Sequence, residues 1–157
     1  MALIKPRTLL IICGILSLAA IGCAWYLQHY KDMLPCPLCV IQRYAFLGVA
    51  LFCLIGGIGN ATRLGGVFGL LSALGGLGTA IRHVWVQAHP SVSCGIDPME
   101  TMLNRIITAD LVPQLFKADG LCSDVHALLG LTIPQWSLVG FSGLTLLLLW
   151  SLVQRRD

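Results

Sequence analysis

Charge is what this chain has least of. Only 11% of its 157 residues are Asp, Glu, Lys or Arg, against roughly 25% in ordinary soluble domains. Residues 8–30, 44–62, 64–81 and 125–154 carry no acidic or basic side chain apart from histidine. That scarcity excludes a soluble globular domain. The few lysines and arginines sit at the ends of apolar runs and form no basic patch, which excludes a nucleic-acid surface. Internal repeats and low-complexity tracts are also lacking.

What fills the space is hydrophobicity, 57% of the residues. A membrane-crossing helix needs about 20 mostly apolar residues, so four fit and leave little else. The expected spans are 8–28, 38–59, 65–88 and 135–153, joined by loops 29–37 and 89–134 on one side. The expected fold is therefore an all-α membrane protein: a four-transmembrane-helix bundle, a single domain over 1–157, with one long loop between spans three and four. Small residues crowd span three (Gly65, Gly66, Gly69, Gly75, Gly76, Gly78), and such residues let helices approach closely in lipid.

Orientation follows from the basic residues. Lys5, Arg7, Arg63, Arg155 and Arg156 fall on one side, and Lys31, Arg105 and Lys117 on the other. Both termini are thus expected to be cytoplasmic. The first basic–apolar segment resembles a secretion signal, and Ala20-Ile21-Gly22-Cys23 faintly resembles a cleavage site, but the apolar run continues to Leu27. It is expected to remain as span one. Trp25, Trp136 and Trp150 lie near span ends, where amphipathic rings anchor at the membrane interface. In the polar loop, Ile106, Ile107, Leu111, Leu115 and Phe116 form a short amphipathic piece for the membrane surface, broken by Pro113.

The seven cysteines divide by environment. Cys13, Cys23 and Cys53 lie within apolar spans, where a thiol behaves as a small hydrophobe. Cys36, Cys39, Cys94 and Cys122 all fall on the outer face, where disulfides persist. Four cysteines allow three pairings; Cys36–Cys39 with Cys94–Cys122 is the simplest, because neither bond joins separate loops. A three-residue step is a poor structural staple, since disulfides stabilise mainly by restraining long loops. The Cys94–Cys122 bridge taken alone fits a structural role as well as a redox one. A zinc cage of all four outer cysteines is disfavoured because Cys94 and Cys122 make no tight knuckle; no metal is expected.

Redox chemistry has a physical basis at Cys36-Pro37-Leu38-Cys39. Proline suits a first helical turn, so Cys39 falls among unpaired helix N–H groups that favour an anion. The thiolate is the reactive form of cysteine. Arg43 lies one turn deeper on the same face and needs an anionic or polar partner in this setting; a Cys39 thiolate or a quinone oxygen would serve, and snorkelling to the headgroups is the simpler alternative. His83, near the outer end of span three, lies at a depth similar to Arg43 and could line the same pocket, or could merely bond a neighbouring helix.

These residues resemble the DsbB family of bacterial inner-membrane disulfide-generating proteins. The resemblance covers nearly the whole chain: Pro35-Cys36-Pro37-Leu38-Cys39 with Arg43, then Arg82-His83, Val112-Pro113-Gln114, Cys122, and Leu129-Gly130-Leu131-Thr132-Ile133-Pro134-Gln135-Trp136 leading into span four. It implies redox disulfides Cys36–Cys39 and Cys94–Cys122, with the redox cysteines on the periplasmic side. Cys94 would meet a reduced DsbA-type thioredoxin-fold oxidase, Cys122 would attack Cys36, and Cys39 would face ubiquinone or menaquinone from the membrane pool. Arg43 and His83 would flank the quinone. Arg82 is more basic than the family pattern leads one to expect, which would alter the charge of the pocket. A vitamin-K-epoxide-reductase-like protein also combines four spans, a CxxC and a quinone, but it carries its CxxC near a later span. A non-enzymatic four-span scaffold with purely structural outer disulfides is the remaining alternative.

Overall fold

The computed structural model describes residues 5–31, 34–89, 101–107, 111–118, 120 and 127–154. Helices α1 (Pro6–Lys31), α2 (Pro37–Ile58), α3 (Thr62–Ala88) and α5 (Ile133–Val153) are each long and apolar enough to cross a membrane. Between α3 and α5 lie a one-turn helix α4 (Pro113–Phe116) and a two-stranded hairpin, β1 (Ala127–Leu128) paired antiparallel to β2 (Leu131–Thr132). The architecture is all-α with four membrane helices, and the protein is a multi-pass membrane protein.

Side-chain placement matches a lipid solvent. Ile15, Leu51, Ile55, Ile58, Leu64, Leu71, Leu146 and Val153 point outward, an apolar exterior that water would not tolerate as a contiguous surface. Inside, Leu10, Cys13, Val49, Cys53, Phe141 and Leu148 form the core, with the Phe46 and Phe141 rings stacked at 4.0 Å between centroids. Cys13 and Cys53 are core thiols, whereas Cys23 is exposed on α1.

Local chemistry sets the helix ends. Cys36 is extended at the N-cap of α2, its sulfur accepting from the Cys39 amide at 3.4 Å, and Pro37 opens the helix. The reversal into α3 uses Asn60 at φ 58°, a left-handed conformation that asparagine tolerates. Before α5, Gln135 Oε1 accepts from the Thr132 amide at 2.8 Å, satisfying one orphan donor of the helix start.

Packing around the bundle is uneven. The most extensive contact is α2 with α3, followed by α1 with α2 and α3 with α5, while α1 touches α5 only lightly. The α2–α3 pair is close because two glycines meet: a carbon added to Gly56 would lie 2.6 Å from Gly65 Cα. Gly56→Val is therefore expected to cost about 1–3 kcal/mol through overpacking, seen as a lower thermal transition in detergent. An unchanged transition would mean that the helices part freely there.

Part of the long loop folds back on the bundle. Leu103, Phe116 and Ala118 pack with Val40, and the Phe116 ring stacks on Tyr44 at 4.6 Å. Asn104 clamps Ala118 from both sides, Oδ1 accepting its amide at 2.9 Å and Nδ2 donating to its carbonyl at 3.3 Å. The expected amphipathic piece thus splits: Phe116 turns onto α2, while Ile106, Ile107 and Leu111 stay exposed.

Candidate active site

The light α1–α5 contact leaves a cavity of about 650 Å³. Leu16, Ala20 and Cys23 of α1 face Val139, Gly143 and Leu147 of α5 along its length, and Cys36, Cys39, Gln42, Arg43 and His83 gather among its lining residues. Lining is apolar along the seam and polar beside the cysteines. That arrangement suits a ligand with a polar ring and a hydrocarbon tail, in line with how ligand pockets combine apolar walls with a few oriented polar groups.

Cys36 and Cys39 stand as two thiols whose sulfurs are 3.1 Å apart, Cys36 donating. Cys36 is almost wholly buried and Cys39 is half-buried. The hydrogen bond to Cys39 and burial together push the Cys36 thiol above its ordinary range. His83 is buried, its Nε2 3.6 Å from Cys36 Sγ and its Nδ1 4.0 Å from Cys39 Sγ.

Arg43 is 7% exposed, and its hydrogen-bond partners among the described residues are not sulfurs. Nη1 donates to Gln28 Oε1 at 2.9 Å and to the Leu115 carbonyl at 2.6 Å. One guanidinium thereby ties α1, α2 and the second loop together at the cavity wall. Arg82, by contrast, is exposed and absent from the cavity lining, so its charge is directed elsewhere.

Cys94 and Cys122, and with them the Cys94–Cys122 pair, lie outside the described residues. The backbone nearby is informative all the same. Gly120, two residues before Cys122, donates its amide to the Pro35 carbonyl at 3.1 Å, and Pro35 immediately precedes Cys36. A carbon added to Gly120 would collide with the Leu34 carbonyl oxygen. Only glycine allows so close an approach of the two loops.

Two site residues escaped the sequence reading. Gln28 holds Arg43, and Gln42 places Nε2 3.4 Å from His83 Nδ1. A signal for Gln42 existed: it stands three residues after Cys39, on the same helical face. For Gln28, near the polar end of α1, the sequence offers none.

The family model described as "Disulfide bond formation protein DsbB" matches residues 6–151. Disulfide bond formation protein B of Herminiimonas arsenicoxydans is 48% identical over 156 residues, covering 98% of this chain and 99% of the relative. The protein of the same name from Cupriavidus metallidurans is 43% identical over 153 residues, covering 96% and 95%. That from Ralstonia nicotianae is 41% identical, covering 96% of each. The chain belongs to the DsbB family and is a membrane-embedded disulfide oxidoreductase of disulfide bond formation.

Proposed function

We propose that this protein reoxidises a periplasmic DsbA-type dithiol oxidase and passes the electrons to membrane quinone, ubiquinone or menaquinone. The observation that carries the reading is the Cys36–Cys39 pair lying among the lining of a largely apolar cavity between α1 and α5. A water-side exchange alone has no need of a sulfur in that position.

In this reading the whole chain is one domain in the bacterial inner membrane. The bundle puts Pro6, the α2–α3 reversal and the end of α5 on one face, and the basic residues make that face cytoplasmic. The redox cysteines then face the periplasm.

The relay has three exchanges. A thiolate of the partner attacks Cys94 in a Cys94–Cys122 disulfide, and its second thiol releases the partner in oxidised form. Cys122 attacks Cys36, and Cys94 resolves that bond, re-forming Cys94–Cys122 and leaving Cys36 and Cys39 reduced. Quinone, when bound, accepts the two electrons and two protons that restore Cys36–Cys39. Within this scheme His83 lies beside both sulfurs and can hold a proton next to Cys36, while Arg43 presents a fixed positive charge on the cavity wall.

Magnitudes favour a strongly oxidising sink. DsbA lies near −120 mV and structural disulfides below about −300 mV, so an ordinary disulfide would face a gap of about 180 mV, on the order of 8 kcal/mol for two electrons. A lipid-soluble quinone supplies the missing pull.

The deciding experiment mixes purified protein, a reduced DsbA-type oxidase and ubiquinone. Quinone reduction is expected, and its absence above a Cys36→Ser control overturns the reading. A second expectation concerns the loop tether. Gly120→Val should slow oxidation of the partner by about 10–100-fold, the cost of misplacing reacting groups by about 1 Å, while quinone binding stays intact. Equal loss of quinone binding would show that Gly120 supports the fold generally.

A further inference from the structure

Beside the cavity, Cys36, Cys39 and His83 also form a ligand set for a metal. One ligand atom from each lies within 4.8 Å of the others. Around a tetrahedral zinc ion, with sulfur at about 2.3 Å and nitrogen at about 2.0–2.1 Å, neighbouring sulfur and nitrogen are roughly 3.6 Å apart. Cys36 Sγ and His83 Nε2 already stand at 3.6 Å. The two sulfurs, at 3.1 Å, need to open to about 3.8 Å, and the half-buried Cys39, whose sulfur stands 4.0 Å from His83 Nδ1, must turn toward Nε2 as they do.

Three further features fit. The two-residue gap between the cysteines is a spacing used by zinc ligands. Cys36 Sγ accepts the Cys39 amide, which supports negative charge on that sulfur. Gln42 meets His83 Nδ1, and with its amide turned over, Oε1 accepts the Nδ1 proton, leaving the Nε2 lone pair for a cation. Ligating histidines are held by just such an acceptor. All three donors line the cavity, where a water can complete the tetrahedron. Unlike a cage of four cysteines, this set needs no residue of the second loop.

We propose that the reduced protein binds one thiophilic d10 cation of the zinc–cadmium kind at Cys36, Cys39 and His83, and that binding arrests turnover. Whatever thiol protons the pair holds leave to water as the metal–sulfur bonds form, and nothing is oxidised or reduced. The site exists only while the two sulfurs are not bonded to each other. The arrest, though not the binding, rests on the relay proposed above, because a sulfur held by metal cannot re-form the Cys36–Cys39 bond.

Full-length protein carrying Cys94→Ser and Cys122→Ser, reduced and freed of reductant, is titrated anaerobically with Cd²⁺ and with Co²⁺. The expected result is one equivalent bound, a sulfur-to-cadmium ultraviolet band, and the intense visible absorption of tetrahedral Co²⁺. Both signals should vanish in the oxidised protein and in Cys36→Ser. His83→Gln should weaken binding at least about tenfold, since even losing an outer partner of a ligand costs about 10–100-fold. No saturable uptake, equal uptake by oxidised protein, or unchanged affinity in His83→Gln overturns the site. The oxidised–reduced comparison decides the matter even where a variant fails to fold. Uptake without inhibition of partner oxidation in the wild-type protein overturns the arrest alone.

Discussion

Cys39→Ser is expected to reduce quinone-coupled turnover to the uncatalysed background and to erase the visible absorption that a thiolate gives when it lies against bound quinone. Cys36→Ser should lose turnover equally but keep that absorption. The distinction rests on which of the two sulfurs is favoured as the anion. Cys36 donates to Cys39 Sγ across 3.1 Å, and this bond with burial holds its thiol protonated. Cys39 occupies the first turn of α2, where the helix start has N–H groups without intrahelical partners, and such a position favours an anion. A serine hydroxyl at 39 stays neutral at ordinary pH and offers no electron pair of comparable reactivity. Anaerobic spectra of both variants with ubiquinone check the expectation. A band surviving in Cys39→Ser would assign the charge to the other sulfur. Brief iodoacetamide treatment of the reduced wild-type protein gives an independent reading, with Cys39 expected to be modified before Cys36.

The sequence made the helices legible because lipid imposes one simple demand, a long apolar run with every backbone group bonded internally. Edges were less legible. Expected span 8–28 lies inside an α1 of Pro6–Lys31, since proline opens a helix readily and hydropathy does not register the polar last turn. The Ala127–Thr132 hairpin was invisible for another reason. Two-residue strands have no periodicity, and its reversal places Leu129 at φ 53° beside Gly130 at φ 86°, where turn chemistry would lead one to expect asparagine or glycine.

At the site, residue types were legible and arrangement was not. A CxxC followed by an arginine one turn later announces itself from spacing alone. That Arg43 would spend its hydrogen bonds on Gln28 and the Leu115 carbonyl could not be read, because those partners come from α1 and from the long loop. The cavity was equally hidden. It arises where α1 and α5, at opposite ends of the chain, fail to pack tightly, and no local pattern encodes a gap between distant helices.

Arg43→Ala separates two consequences of that arrangement. If the guanidinium orients the quinone ring, its loss removes a charged hydrogen bond worth about 1.5–3 kcal/mol, so the quinone KM should rise roughly 10- to 150-fold. The same change orphans Gln28 Oε1 and the Leu115 carbonyl, which loosens the second loop where Phe116 packs on Tyr44. Loop loosening acts on the partner side and should appear in the KM for the dithiol oxidase. Arg43→Lys restores charge without the planar fork and should recover quinone affinity in part while leaving one of the two tethers unmade. Gln28→Leu frees Nη1 of one partner and keeps the charge, so its effect on quinone should be smaller, about fivefold for one ordinary hydrogen bond of about 1 kcal/mol. Steady-state kinetics with each substrate varied in turn check all three variants. An unchanged quinone KM in Arg43→Ala, alongside a raised partner KM or reduced abundance, would make Arg43 a tether between loop and bundle and remove it from the quinone site.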